Sequence, residues 1–238
     1  MSAAAAQTSG GYLAVPDTTS GAVPAGPWPG VVVIHDAFGM TDDLRRQADK
    51  LASAGYIALA PDLWQGRYWA LCIRSAFRQL TAGKGPAFTE LERAAEQLAA
   101  MENCTGKVGA IGFCLGGGFA LMLAPRDGFA ATSVNYGPVP KDAERVLAGA
   151  CPVVASYGAK DRGMGSQLSR LRAAVTKNGV PADIKVYPDA GHAFLNEYSG
   201  ARGTLMKVAG MSYREDDAAD AWRRILAFFG EHLHGTRA

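Results

Sequence analysis

Short β-branched segments alternate with amphipathic segments along most of this sequence. Val31–Ile34 is a continuous β-branched run, which is typical of a strand buried on both faces. The next segment, residues 42–54, repeats apolar residues at helical spacing, with Thr41 as a candidate N-cap and Gly55 as a stop. This alternation predicts an α/β fold with a mainly parallel central sheet and helices on both faces.

The same patterns extend along the chain. Further strands are predicted over residues 56–60, 108–111, 131–136, 153–157 and 184–187. Helices are predicted over about 69–80, after a capping box formed by Thr89 and Glu92, and near the C-terminus around Trp222 and Phe229. Because no repeat or linker divides the sequence, we expect one α/β domain over residues 11–238, preceded by a disordered tail over residues 1–10.

Composition narrows the classes of function. The 24 basic and 22 acidic residues give a net charge of +2 without a basic stripe, which argues against nucleic-acid binding. No segment approaches the roughly 20 apolar residues of a membrane span, and the N-terminus does not resemble a secretion signal. The four cysteines form no CxxC and no cluster with histidine, so we expect no metal site, and free thiols in the cytoplasm.

The sequence Gly-Phe-Cys-Leu-Gly-Gly-Gly over residues 112–118 joins a predicted strand to a predicted helix. A nucleophile between two glycines at such a junction is the elbow pattern of α/β-hydrolases, here with Cys114 in place of serine. Gly112 and Gly116 leave room for a strained turn, and the N-terminus of the helix favours a thiolate and an oxyanion. The glycines alone are equally compatible with close packing of a strand against a helix.

Two later residues complete the pattern in the order that an α/β-hydrolase requires. Asp161 lies four residues after the strand that ends at Tyr157, and His192 lies in the loop after the strand over residues 184–187. The carboxyl ends of parallel strands meet at one edge of a sheet, so both side chains are predicted to lie near Cys114. Asp189 is a rival acid, but it follows a proline in a tight turn, which favours a role in shaping the loop.

Together with Val33–Gly39, Ala60–Trp64 and Gly158–Asp161, these motifs resemble the dienelactone hydrolase family from about Gly30 to the final helix. The resemblance implies an α/β-hydrolase fold and a Cys-His-Asp triad. It also implies that a small-molecule ester or lactone is hydrolysed through a thioester, without a cofactor. The backbone N–H groups of Leu115 and Ala37 are the predicted oxyanion donors.

The resemblance also assigns positions around the site. Asp36 stands where the family commonly has a glutamate that tunes the thiol, and Asn196 stands where the founding enzymes carry a carboxylate-binding arginine. Arg74 is the candidate for a second substrate-binding arginine, while Phe38 and Trp64 are candidates to line the pocket. Without an arginine at position 196, we expect neutral esters or lactones to compete well with carboxylated ones.

Alternative functions share the same residues. A thioesterase or a peptidase would use the same triad, because the pocket rather than the triad selects the substrate. A redox-sensing module on a hydrolase scaffold would keep the cysteine but form no acyl intermediate. The ordered set of Cys114, Asp161 and His192 favours a catalytic function over the last alternative.

Overall fold

The structure, a computed structural model, describes residues 4–8, 10–19, 21, 23–162, 164–208 and 210–234. The strands of these ranges, numbered in chain order, are β1 Ala4–Thr8, β2 Gly11–Val15, β3 Trp28–Ile34, β4 Ile57–Pro61, β5 Cys104–Phe113, β6 Ala131–Asn135, β7 Val153–Gly158 and β8 Ala182–Tyr187. The helices are α1 Asp42–Ser53, α2 Trp69–Ala82, α3 Pro86–Ala99, α4 Leu115–Leu123, α5 Ala143–Val146, α6 Gly165–Lys177, α7 Gly200–Val208 and α8 Glu215–Leu233.

The described strands form one eight-stranded sheet in the order β1-β2-β4-β3-β5-β6-β7-β8. Strands β3 to β8 are parallel, and β1 and β2 add an antiparallel edge beside β4. The predicted α/β fold with a mainly parallel sheet is therefore confirmed. Strand β5, which leads to Cys114, lies beside β3, and β6 separates it from β7 and β8, which lead to Asp161 and His192.

Helices cover both faces of this sheet. Gly30 of β3 packs against Leu98 of α3, and Gly109 of β5 packs against Leu233 of α8. Gly109 is in register with Val31, the residue after Gly30, so the two glycines face opposite sides of the sheet. Thus α3 and α8 lie on opposite faces, and the strands between them are buried.

Two local predictions differ from the structure. The sequence predicts a disordered tail over residues 1–10, whereas Ala4–Thr8 pairs as β1 with β2, through backbone hydrogen bonds that an alanine-rich segment does not signal. The capping box of Thr89 and Glu92 is wrong, because α3 already begins at Pro86. A proline suits the first helical position, and the side chain of Gln79 accepts the N–H of Ala87.

The predicted start of α1 is correct. The Thr41 side chain accepts a hydrogen bond from the N–H of Leu44 at 3.2 Å, as an N-cap does. Among the described helices, none has both the length and the apolar character needed to cross a membrane.

Candidate active site

Cys114 occupies the sharp turn between β5 and α4. Its backbone has φ 54° and ψ −117°, a strained conformation for a residue with a side chain, and it stands at the N-cap position of α4. A Cβ atom at Gly112 would collide with the backbone of Gly116, and a Cβ at Gly116 would collide with the carbonyl of Ile34. Both glycines are therefore required for the close packing of β5, α4 and the end of β3.

The N–H groups of the first turn of α4 have no partner within the helix, and the helix dipole places partial positive charge there. Leu115 is the first residue of α4 and is buried, so its N–H lies directly after the Cys114 turn. This placement suits the predicted oxyanion donor.

His192 and Asp161 form a close pair after the last two strands. Asp161 follows β7 and His192 follows β8, and Nδ1 of His192 lies 2.7 Å from Oδ2 of Asp161. Burial by itself lowers the pKa of His192, but the hydrogen bond to Asp161 and the interaction with Cys114 outweigh it and raise the pKa to about 10. These contacts with a carboxylate and a sulfur favour the protonated imidazole.

Tyr136, the residue after β6, supports the face of this histidine. Its ring centroid lies 5.1 Å from that of His192 in an edge-on arrangement, and its backbone has φ 42°. The Tyr136 hydroxyl donates to Oδ1 of Asn196, and burial raises its pKa well above the ordinary value.

The segment 189–198, here called the histidine loop, is anchored to α1. Asp43 accepts hydrogen bonds from Nδ2 of Asn196 at 2.7 Å and from the N–H of Glu197 at 2.9 Å. Gln47, one turn further along α1, donates to the carbonyl of Leu195 at 2.9 Å. Asn196 is only 3% exposed, and both ends of its amide have protein partners. It therefore anchors the loop, and a contact with substrate at this position stays a prediction.

The segment 35–39, here called the oxyanion loop, follows β3. Oδ1 of Asp36 accepts the N–H of Phe38 at 2.7 Å, and Oδ2 accepts the hydroxyl of Tyr198 from the histidine loop. Burial and the charge of Asp36 raise the pKa of Tyr198 well above its ordinary value, and Cys114 adds to this rise. One oxygen of Asp36 thus closes a turn within the oxyanion loop, and the other joins this loop to the histidine loop through Tyr198, which also interacts with Cys114.

The remaining predicted pocket residues have different environments. Trp64 is buried, and its Nε1–H donates to the carbonyl of Ala37 at 3.2 Å, so it supports the oxyanion loop. Phe38 is half-buried, and its ring meets that of Tyr198 with 5.5 Å between centroids. Arg74 is exposed on α2. The structure thus brings Trp64 and Phe38 to the site as supporting groups, whereas Arg74 stays a prediction.

Sequence reasoning missed the supports of both loops. Asp43 resembles its neighbour Asp42, since both are acidic residues in the first turn of α1. A usable signal was the spacing of Asp43 and Gln47, which places two polar side chains four residues apart beside the apolar face of this helix. Tyr198 carries no comparable signal.

The described part of the chain contains neither a group of metal ligands nor a disulfide bond. No group of three or more His, Cys, Asp or Glu side chains in those ranges is arranged to hold a metal ion. All four cysteines are free thiols.

The fold and the cysteine elbow define an α/β-hydrolase. The sequence matches the model of the dienelactone hydrolase family over residues 10–233, and the chain belongs to this family. It is accordingly an ester- or lactone-hydrolase of the dienelactone hydrolase type.

The chain is similar to several named proteins along most of its length. The chain is 28% identical to a protein of Saccharolobus solfataricus named "Putative carboxymethylenebutenolidase", over 87% of this chain and 91% of that protein. It is 30% identical to "Protein usf" of Aquifex pyrophilus, over 94% and 93% of the two chains. The crystal structure titled "Putative Dienelactone Hydrolase" from Klebsiella pneumoniae superposes with a TM-score of 0.76 at 27% identity, covering 93% of this chain and 92% of that one.

Proposed function

We propose that this hydrolase cleaves esters or lactones with Cys114 as nucleophile, His192 as proton carrier and Asp161 as the acid that orients His192. One observation carries the proposal: Nδ1 of His192 lies 2.7 Å from Oδ2 of Asp161, and the imidazole also interacts with Cys114, which is held on a strained turn. A nucleophile, a base and an orienting acid in this arrangement are the parts of a catalytic triad.

Acylation begins from the ion pair of protonated His192 and the Cys114 thiolate. The thiolate attacks the ester carbonyl, and the oxyanion that forms accepts the N–H groups of Leu115 and Ala37. When the tetrahedral intermediate collapses, the bond between the carbonyl carbon and the leaving oxygen breaks. His192 gives its proton to this oxygen, and the acyl group remains on Cys114 as a thioester.

Deacylation reverses the role of the histidine. Neutral His192 accepts a proton from water, which attacks the thioester carbonyl, and the C–S bond then breaks. The acid is released, and the thiolate and the protonated imidazole are restored. Because a thiolate is itself a good leaving group, esters whose alcohol leaves as a stabilised alkoxide or enolate react better than plain alkyl esters.

The reaction requires a reduced thiol at position 114. A reducing compartment keeps such a thiol available, and the three other cysteines are also free. We therefore place the protein in the cytoplasm.

Replacement of the nucleophile tests this mechanism. We expect Cys114→Ala to lower kcat/KM for p-nitrophenyl acetate by about 10³–10⁶-fold, the order found when a catalytic nucleophile is removed. The matched control, Cys104→Ala, removes a partly buried thiol at the start of β5 and should keep the wild-type rate.

Intact-mass spectrometry after rapid acid quench should detect an acetyl group on the wild-type enzyme and on Cys104→Ala, but not on Cys114→Ala. Wild-type activity in Cys114→Ala would contradict the nucleophile assignment. Amide or thioester substrates that react faster than matched esters would contradict the assignment as an ester or lactone hydrolase.

A further inference from the structure

His35 is a buried histidine outside the Cys114–His192–Asp161 set. It is 1% exposed and is the first residue after β3. Nδ1 of its ring lies 2.7 Å from the backbone carbonyl oxygen of Asp36, and Nε2 lies 3.2 Å from the backbone nitrogen of Leu63. Both ring nitrogens therefore bind backbone groups.

These two partners determine the protonation state of the ring. The N–H of Leu63 can only donate, so Nε2 of His35 must be the unprotonated acceptor. A neutral imidazole then carries its proton on Nδ1, which donates to the carbonyl of Asp36. Burial lowers the pKa of His35, in agreement with a ring that stays neutral.

The carbonyl of Asp36 and the N–H of Ala37 belong to one planar, trans peptide group. In such a group the C=O and the N–H point in opposite directions. A donor that forms a hydrogen bond with the oxygen therefore also fixes the direction of the Ala37 N–H. The N–H of Gly39 adds a second, longer bond of 3.3 Å to the same oxygen. The bond from His35 is the shorter of the two and comes from a side chain that is itself held by Leu63.

The neighbouring peptide group is also held. Trp64 donates to the carbonyl of Ala37, and its ring packs on that of His35 with 4.7 Å between centroids. The end of β3 lies directly against the first turn of α4, because Gly116 packs on the carbonyls of Ile34 and His35. The peptide group between Asp36 and Ala37, to which His35 is hydrogen-bonded, is therefore adjacent to the elbow that carries Cys114.

We infer that His35 is a positioning residue of the oxyanion hole, which sets the direction of the Ala37 N–H through the carbonyl of Asp36. The inference rests on the proposed function, in which this N–H binds the oxyanion. Both ring nitrogens of His35 bind backbone groups, so its effect should appear only in steps that build negative charge on a carbonyl oxygen.

Two reactions of Cys114 separate this role from a general structural one. Attack on p-nitrophenyl acetate builds an oxyanion, whereas alkylation by iodoacetamide displaces iodide from a saturated carbon and needs no oxyanion donor. We expect His35→Leu to slow acylation by about 10–100-fold, less than the loss of a donor itself, because the N–H remains but is misdirected. Alkylation of Cys114, followed by peptide mass spectrometry, should keep its wild-type rate.

His35→Asn is the conservative variant. Its side-chain amide can place an N–H near the position of Nδ1, so we expect it to recover most of the acylation rate that His35→Leu loses. An unchanged acylation rate in His35→Leu would overturn the inference, and so would a parallel fall of both reactions or a failure of His35→Asn to recover. A wild-type enzyme that is alkylated but never acylated at Cys114 would instead overturn the proposed function.

Discussion

The oxyanion loop and the histidine loop flank the same cysteine but are held in different ways. The oxyanion loop is held through its peptide groups, by His35, Trp64 and the carboxylate of Asp36. The histidine loop is held from outside by polar side chains of α1, and the ring of Tyr136 supports the imidazole. A loop that supplies a backbone donor needs its peptide planes held in a fixed orientation. A loop that supplies a catalytic side chain needs its backbone course and the orientation of that ring held instead.

The two loops also hold histidines in opposite protonation states. His35 binds a backbone donor, which favours its neutral form, while the contacts of His192 with Asp161 and Cys114 favour its protonated form. The same residue type therefore acts as a rigid linker in one loop and as a proton carrier in the other.

The largest effect is expected from Asp43, which anchors only the histidine loop. Asp43→Ala leaves Nδ2 of Asn196 and the N–H of Glu197 without their acceptor, at about 1–3 kcal/mol each. It also removes the contacts of Asp43 with Arg46 and Gln47 in its own helix. We expect the free energy of unfolding in urea to fall by about 2–6 kcal/mol. Because His192 loses its support, both acylation and alkylation of Cys114 should slow, unlike the pattern expected for His35→Leu.

Asp42→Ala is the matched control for this prediction. Asp42 lies in the same helical turn, but its side chain is 82% exposed and pairs only with Arg45 among the described ion pairs. Its loss should change the free energy of unfolding by less than about 0.5 kcal/mol. Equal losses in the two variants would mean that the acidic N-terminus of α1, rather than the anchor, is what matters.

The second prediction concerns Tyr198, which joins the two loops. Its hydroxyl donates to Asp36, so Tyr198→Phe and Asp36→Asn both alter one charged hydrogen bond. A double-mutant cycle on the free energy of unfolding should give a coupling of about 0.5–3 kcal/mol. Additive effects would show that the loops are stabilised independently.

The smallest effect, when compared one pH unit at a time, is expected in the pH dependence of stability. His35 has a lowered pKa in the folded state, so unfolded chains bind an extra proton below about pH 6.5 and stability is lost as the pH falls. His192 has a raised pKa of about 10, so its contribution is complete below about pH 6.5 and is lost as the pH rises towards 10. Each slope is at most about 1.4 kcal/mol per pH unit.

Urea denaturation at a series of pH values tests both directions. His35→Asn should be less sensitive to acid than the wild type, and His192→Asn should be less sensitive to alkali. If both variants changed the same limb of the profile, the opposite protonation states would be refuted.

Patterns that repeat along one element were readable from the sequence, and contacts between distant elements were not. The β-branched run of β3, the Thr41 cap and the glycine-framed turn at Cys114 are local signals. The pairing of β1 with β2 depends on backbone hydrogen bonds, which composition does not show. The same limit hid the anchoring of Asn196 by Asp43, because the two residues are 153 positions apart.

Around Cys114, main chain packs directly on main chain. This packing separates positions that accept no side chain from positions that can be varied freely. Gly112, Gly116 and Gly137 each lie so close to a neighbouring main chain that any side chain there would collide with it. Randomised libraries that include these positions would mostly return unfolded clones. Exposed positions such as Arg74 of α2 and Leu205 of α7 differ, because new side chains there meet solvent and the scaffold can tolerate a wide choice.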